Sequence, residues 1–64
     1  MNNFPISLLA KDVKVNPFKI KEINTIFNYI NVAAITLNVD AMLLLKAVNE
    51  QQTKINNYTI IYEI

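Results

Sequence analysis

Glycine, arginine, histidine, cysteine and tryptophan are all missing from the 64 positions. Each absence removes a class of chemistry. Without cysteine there is no disulfide, and without cysteine or histidine the usual structural zinc sites are excluded. The same two gaps remove the serine–histidine and cysteine–histidine nucleophile systems. Without glycine, neither a P-loop nor a dinucleotide-binding fingerprint can be written. Ser7 is the only serine. Asp12, Glu22, Asp40, Glu50 and Glu63 are scattered, with no calcium-loop or paired-acid spacing. The expectation is a protein that is not an enzyme, with no cofactor and no small-molecule substrate.

Charge is also scarce. Charged residues make up 17% of the chain, against about 25% in an average soluble domain. The net charge of +1 implies no strong field for nucleic acid. No apolar run approaches the ~18 residues of a membrane-spanning helix. The opening MNNFPIS lacks the positive flank and apolar core of a signal peptide. These features predict a cytoplasmic or virion-associated protein that is not secreted. Asn57-Tyr58-Thr59 fits the glycosylation pattern, which without export has no consequence.

What is abundant is apolar surface, at 53% hydrophobic residues. A chain of this length makes one small domain, here 1–64, and buries only about 60% of what its unfolded form exposes. With a disulfide excluded and a structural zinc site nearly so, oligomerisation, a partner or very good packing remains. Asparagine and isoleucine dominate, both with A/T-rich codons. An A+T-rich genome is inferred, a phage or virus being one such source.

A chain without glycine must turn by other means, and asparagine tolerates the left-handed conformation best of the rest. In KVNPFKI, Asn16 before Pro17 reads as a helix N-cap, with Val15 and Ile20 at staple positions. In TLNVDAM, Asn38 reads as a second cap, Leu37 and Met42 as a staple, and Asp40 as a first-turn carboxylate. Asn31 and Asn56-Asn57 read as stops. The chain then parses as a short strand near 11–15, a helix over 17–30, a strand over 32–37, a helix over 39–54 and a strand over 58–63. The β-branched Val32, Ile35 and Thr36 favour strand in VAAITL, although its alanines favour helix. The expected fold is α/β or α+β, in β-α-β-α-β order with two helices packed on a short sheet. The alternative is a mostly helical domain with one C-terminal strand.

Ile20, Ile23, Phe27 and Ile30, with Ile26, form the apolar stripe of the expected first helix, leaving Phe18 and Tyr29 opposite as outlying contact candidates. On the second, Ala41, Leu44, Leu45 and Val48 form one stripe while Met42 and Leu43 project elsewhere. A helix apolar on several sides is buried on several sides, so Met42 and Leu43 point to an interface unless the segment FPISLL covers them. The last residues alternate, with Tyr58, Ile60, Tyr62 and Ile64 on one face of a strand that pairs with another chain if it lies at an edge. Glu50 and Lys54 read as a helix-surface ion pair.

Lys11, Lys14, Lys19 and Lys21 cluster in the first third, the footprint to seek in a nucleic-acid binder. No arginine is available to read guanine, and NVAAITLN is too long and apolar to be the turn of a helix-turn-helix. The run ITLNVDAMLLLKAVNEQQTKINNYTIIYEI resembles the second half of a STAS-type domain: strand, capped helix with a leucine run, strand. Asn38-Val39-Asp40-Ala41 stands where that family has its Asp-Ser-Ser-Gly phosphorylation turn, so the resemblance implies element order and not that chemistry. The functional expectation is a protein–protein interaction or assembly module, a small homo-oligomer or a subunit of a larger complex. Its contacts would be Met42, Leu43, Tyr58, Ile60 and Tyr62, with Phe18 and Tyr29. The alternative is a small nucleic-acid-binding regulator using the lysine cluster.

Overall fold

The computed structural model describes residues 7–63; residues 4–6 of the FPISLL segment and Ile64 lie outside them. Four antiparallel strands and two helices form an α+β domain. The order is β1 (Lys14–Ile20), a single 3-10 turn (Lys21–Ile23), β2 (Thr25–Tyr29), α1 (Ile30–Leu37), α2 (Ala41–Asn49), β3 (Lys54–Ile55) and β4 (Tyr58–Ile61). Across the sheet the strands run β2-β1-β4-β3. The expected class is therefore observed. The elements are dealt out differently along the chain: two helices in succession lie between two hairpins.

The expected helix over 17–30 is instead the first hairpin. Phe18 and Ile20 face the core from β1, Phe27 from β2, and Phe18 lies opposite Phe27 in the register. Their rings sit 5.9 Å apart. These are period-two positions within each strand. The turn at 21–24 resets the phase between strands, so Ile20, Ile23, Phe27 and Ile30 fall at helical spacing by coincidence. Ile23 and Ile26 of that stripe are exposed. Asn24, at φ 50°, closes the turn, its N–H donating to the Lys21 carbonyl at 3.2 Å. Pro17, read as a helix start, lies inside β1 where the register to β2 shifts between Lys14 and Phe18. A proline has no ladder N–H to give, and an irregularity tolerates it.

The segment expected as a strand over 32–37 lies within α1. Its buried residues are Ile30, Ala33, Ala34 and Leu37, the i, i+3, i+4, i+7 signature of an amphipathic helix. Burial outweighs the strand preference of Val32, Ile35 and Thr36, which point outward. The strand that the STAS resemblance implies before the capped helix is thus absent at this position.

Asn38 ends α1 instead of starting α2. At φ 57° it is left-handed, its N–H donating to Ile35 O (3.3 Å) while the Val39 N–H reaches Ala34 O (3.1 Å). That is a Schellman closure with asparagine in glycine's place. The cap of α2 is Asp40, whose Oδ2 accepts from the N–H groups of Met42 (3.1 Å) and Leu43 (3.2 Å). Gln51, at φ 52°, closes α2 in the same way, with Gln52 N–H on Ala47 O (2.8 Å) and Gln51 N–H on Val48 O (3.1 Å). The helix ends at Asn49, so Glu50 and Lys54 are not a helical pair. The Glu50 carboxylate accepts from the Gln52 amide at 2.8 Å.

The segment before β1 straps both helix starts. Asp12 Oδ1 accepts from Asn31 N–H (2.6 Å) and Val13 N–H (2.8 Å), and the Val13 carbonyl accepts from Ile30 N–H (3.0 Å). The Asn31 amide pairs twice with the Leu9 backbone, each bond 2.9 Å. Ser7 bonds Asp40 Oδ1 (3.1 Å) and its carbonyl takes the Ala41 N–H (3.0 Å). The N–H groups orphaned at two helix starts thus find partners from one extended segment.

The C-terminal strand β4 is interior, between β1 and β3. Lys54 and Ile55 pair with Thr59 and Tyr58, leaving Asn56-Asn57 as a two-residue turn with Asn56 at φ 52°. The side that an edge strand would offer to another chain is occupied within this one.

Candidate nucleic-acid interface

The two helices are separated by Asn38, Val39 and Asp40 alone, and the chain direction turns by 119° between their axes. Each residue of the connection has a structural cause: the left-handed Asn38 reverses the chain, Val39 is buried as a plug, and Asp40 caps α2. Ala33, Ala34 and Ala41 are fully buried, and alanine there lets the helices cross closely. A pair of helices at 90–120° joined by a three- or four-residue turn is the helix-turn-helix arrangement. NVAAITLN is mostly first helix, so the objection to this motif based on its length falls away.

The inner face of α2 carries Ala41, Leu44, Ala47 and Val48. Its outer face presents Met42 and Leu43, 59% and 61% exposed, then Lys46 and Asn49. Met42, Leu45, Lys46, Asn49 and Glu50 line a shallow concavity of about 260 Å³. Asn49 and Glu50 also border an open cleft of about 440 Å³, whose other wall is Lys14, Val15 and Asn16 of β1 with Tyr62. One surface therefore runs from the start of α2 to the start of β1.

The four lysines expected as a cluster do not share that surface. Lys14 borders it. Lys19 is half-buried on β1, about 16 Å further along at ~3.3 Å per residue. Lys21 is on the 3-10 turn beyond, and Lys11 on the N-terminal strap. Lys46, which composition did not single out, is the basic residue on the outer face of α2. The spacing of Ile30, Ala33, Ala34 and Leu37 was the signal that would have located α1.

The contact residues divide. Met42 and Leu43 are open, and Tyr29 is partly so. Phe18 is fully buried and Ile60 nearly so, both core residues, which corrects their assignment to an interface. Tyr58 and Tyr62 are half-buried against the core. The Tyr62 hydroxyl turns inward to the carbonyls of Ala47 (3.3 Å) and Gln52, tying the tail to the end of α2. Partial burial pushes its pKa above the usual value. On the other side of the sheet, Glu22 accepts from the N–H and hydroxyl of Thr59, each at 2.7 Å. Those two bonds hold its carboxyl below the ordinary 4.5, with Lys54 adding a smaller push in the same direction.

Comparison with protein families, curated proteins and solved structures gives no match. Among the described residues, no single helix is long and apolar enough to cross a membrane.

Proposed function

We propose that the chain is a helix-turn-helix module that binds duplex DNA, with α2 as the helix that enters the major groove. The observation that carries this reading is the 119° turn across three residues, which leaves the Met42–Asn49 face of α2 outward. In such motifs the second helix reads the groove while the first crosses the backbone. B-form DNA has a groove about 12 Å wide that admits a helix, whereas the narrow major groove of A-form RNA does not. Lys46, midway along the α2 face, and Lys14, at the β1 end of the surface, supply phosphate contacts on either side of Glu50. With a net charge of +1 the electrostatic part is small, so affinity depends on groove contacts.

The test is fluorescence anisotropy of a labelled duplex of about 20 base pairs, two helical turns, titrated between about 50 and 200 mM salt. The expected result is saturable binding whose log–log salt slope is about −2, from the roughly two phosphates that Lys46 and Lys14 neutralise. Lys46→Glu should weaken it. No binding at the low-salt end overturns the reading.

A second reading is favoured by a separate observation. Val32 and Ile35 on the outer side of α1, with Met42 and Leu43 on α2, are large apolar residues more than half exposed. Exposed apolar groups of this kind also mark contact between proteins. Under this reading the module pairs with a second copy or another protein, and light scattering over a dilution series reports it.

A further inference from the structure

We infer that the open edge of β2 pairs antiparallel with β2 of a second copy, about a two-fold axis at Ile26, so that two four-stranded sheets join into one. This contact is independent of the helix surfaces considered above. Strand β2 ends the sheet, and among the described residues no strand pairs with its far side. The ladder fixes where its backbone groups point. The Ile60 N–H donates to the Thr53 carbonyl (2.8 Å), on the β3 side of β4. Alternation turns the groups of Ile61 the other way, to Lys19 of β1, and the Thr59 N–H on that same side is taken by Glu22. One residue along β1 in each direction, Phe18 and Ile20 then bond to Phe27 and Thr25 of β2. The N–H and C=O of Ile26, between those two, are left pointing out of the sheet.

The partner that fits ladder groups at a sheet edge is another strand, and native edges are guarded against one by lysine, proline, bulges or short length. The opposite edge, β3, is two residues long and carries Lys54. β2 has five residues and neither lysine nor proline, and the extra residues of its register shift lie on β1. Two features select a second copy as the occupant. The exposed apolar residues of the hairpin are Ile23 (40%), Ile26 (57%) and Tyr29 (40%), evenly spaced about Ile26. A two-fold axis at Ile26 therefore maps the set onto itself, with Ile26 on the partner's Ile26 and the Ile23 end at the partner's Tyr29. Such an axis also sets every charge against its own kind, and no charged residue occurs from Ile23 to Val39. Lys19, which lies opposite Ile26 on β1, would stand three strand spacings from its copy, about 14 Å. That exceeds the Debye length of about 8 Å at physiological ionic strength.

The experiment combines light scattering over a dilution series with amide hydrogen exchange at Ile26, without DNA. The expected result is the mass of two 7.3-kDa chains at millimolar concentration, falling to one on dilution as exchange at Ile26 accelerates. The full chain made synthetically with an N-methyl group on Ile26 loses only that donor. Its dissociation constant should rise roughly 30-fold, for the two hydrogen bonds lost across the axis. Ile26→Lys, which sets two ammonium groups against each other, should be a single copy throughout. Because Ile26 is exposed, both variants should keep their thermal midpoint within a few degrees at the dilute end. A single copy at millimolar concentration overturns the inference, as does exchange at Ile26 that is slow at every dilution, which means an edge covered from within. A dimer that survives N-methylation but is lost in Leu43→Lys overturns it too, and moves the contact to α2. None of these outcomes touches the DNA-binding reading.

Discussion

Asn24, Asn38 and Asn56 all sit in the left-handed region, with Gln51 as the fourth described residue there. That asparagine would stand in for glycine is readable from composition. Which asparagines do so is not. Asn31, expected as a helix stop, uses its amide on the backbone of Leu9, twenty-two residues away. Side-chain partners at that separation leave no local trace. Glu22 is a similar case, since sequence shows only an isolated carboxylate. Bonded to Thr59 it is more acidic in the folded chain than its ordinary value of 4.5. A group depressed on folding stabilises the native state above its unfolded pKa, and that contribution vanishes as pH falls through the folded value. The thermal midpoint should therefore drop on acidification below about pH 4.5. Glu22→Gln should lower the midpoint at pH 7 and make the acid decline shallower. If both curves stay parallel from pH 7 to pH 3, the Thr59 bonds contribute nothing to stability.

At the scale of elements, α2 and β4 were legible because each carries its own pattern: a capped leucine run, and alternation after an asparagine turn. Helix α1 was hidden. Its outward positions hold β-branched residues, its buried positions include two small alanines, and its N-cap residue, Tyr29, makes no capping bond. An eight-residue helix is too short to hold itself together in water. What holds α1 is packing of Ile30 and Leu37, together with the caps lent by Asp12 and Val13. Removing a capping oxygen costs about 0.5–2 kcal/mol, so Asp12→Ala should lower urea stability by that amount. Asp12→Asn, which keeps an acceptor, should lose less. An unchanged midpoint in the alanine variant would mean that α1 stands without the strap, and that packing alone sets it.

For the whole molecule, the surplus of apolar surface noted in the sequence is only partly resolved by folding. The tail strand is covered on both edges, and Phe18, Ile20, Phe27, Ile30, Leu44 and Ile60 close a single core. The remainder lies at Leu8 before β1, at Ile23, Ile26 and Tyr29 of the first hairpin, and at Val32, Ile35, Met42 and Leu43 on the outer sides of the two helices, where DNA and protein are the competing occupants proposed above. One variant separates them, because a charge at Leu43 has opposite effects in the two cases. Leu43 is 61% exposed, so Leu43→Lys should change folding stability by no more than about 0.5 kcal/mol. If the face enters a groove, an added lysine gains a phosphate contact. Affinity for duplex DNA then rises, and the salt slope steepens by about 0.9. If the face meets another protein, the same ammonium must be desolvated without a partner. Association seen by light scattering then disappears, with no gain in DNA binding. A variant that leaves both DNA affinity and mass unchanged would mean that the outer face of α2 is used by neither occupant.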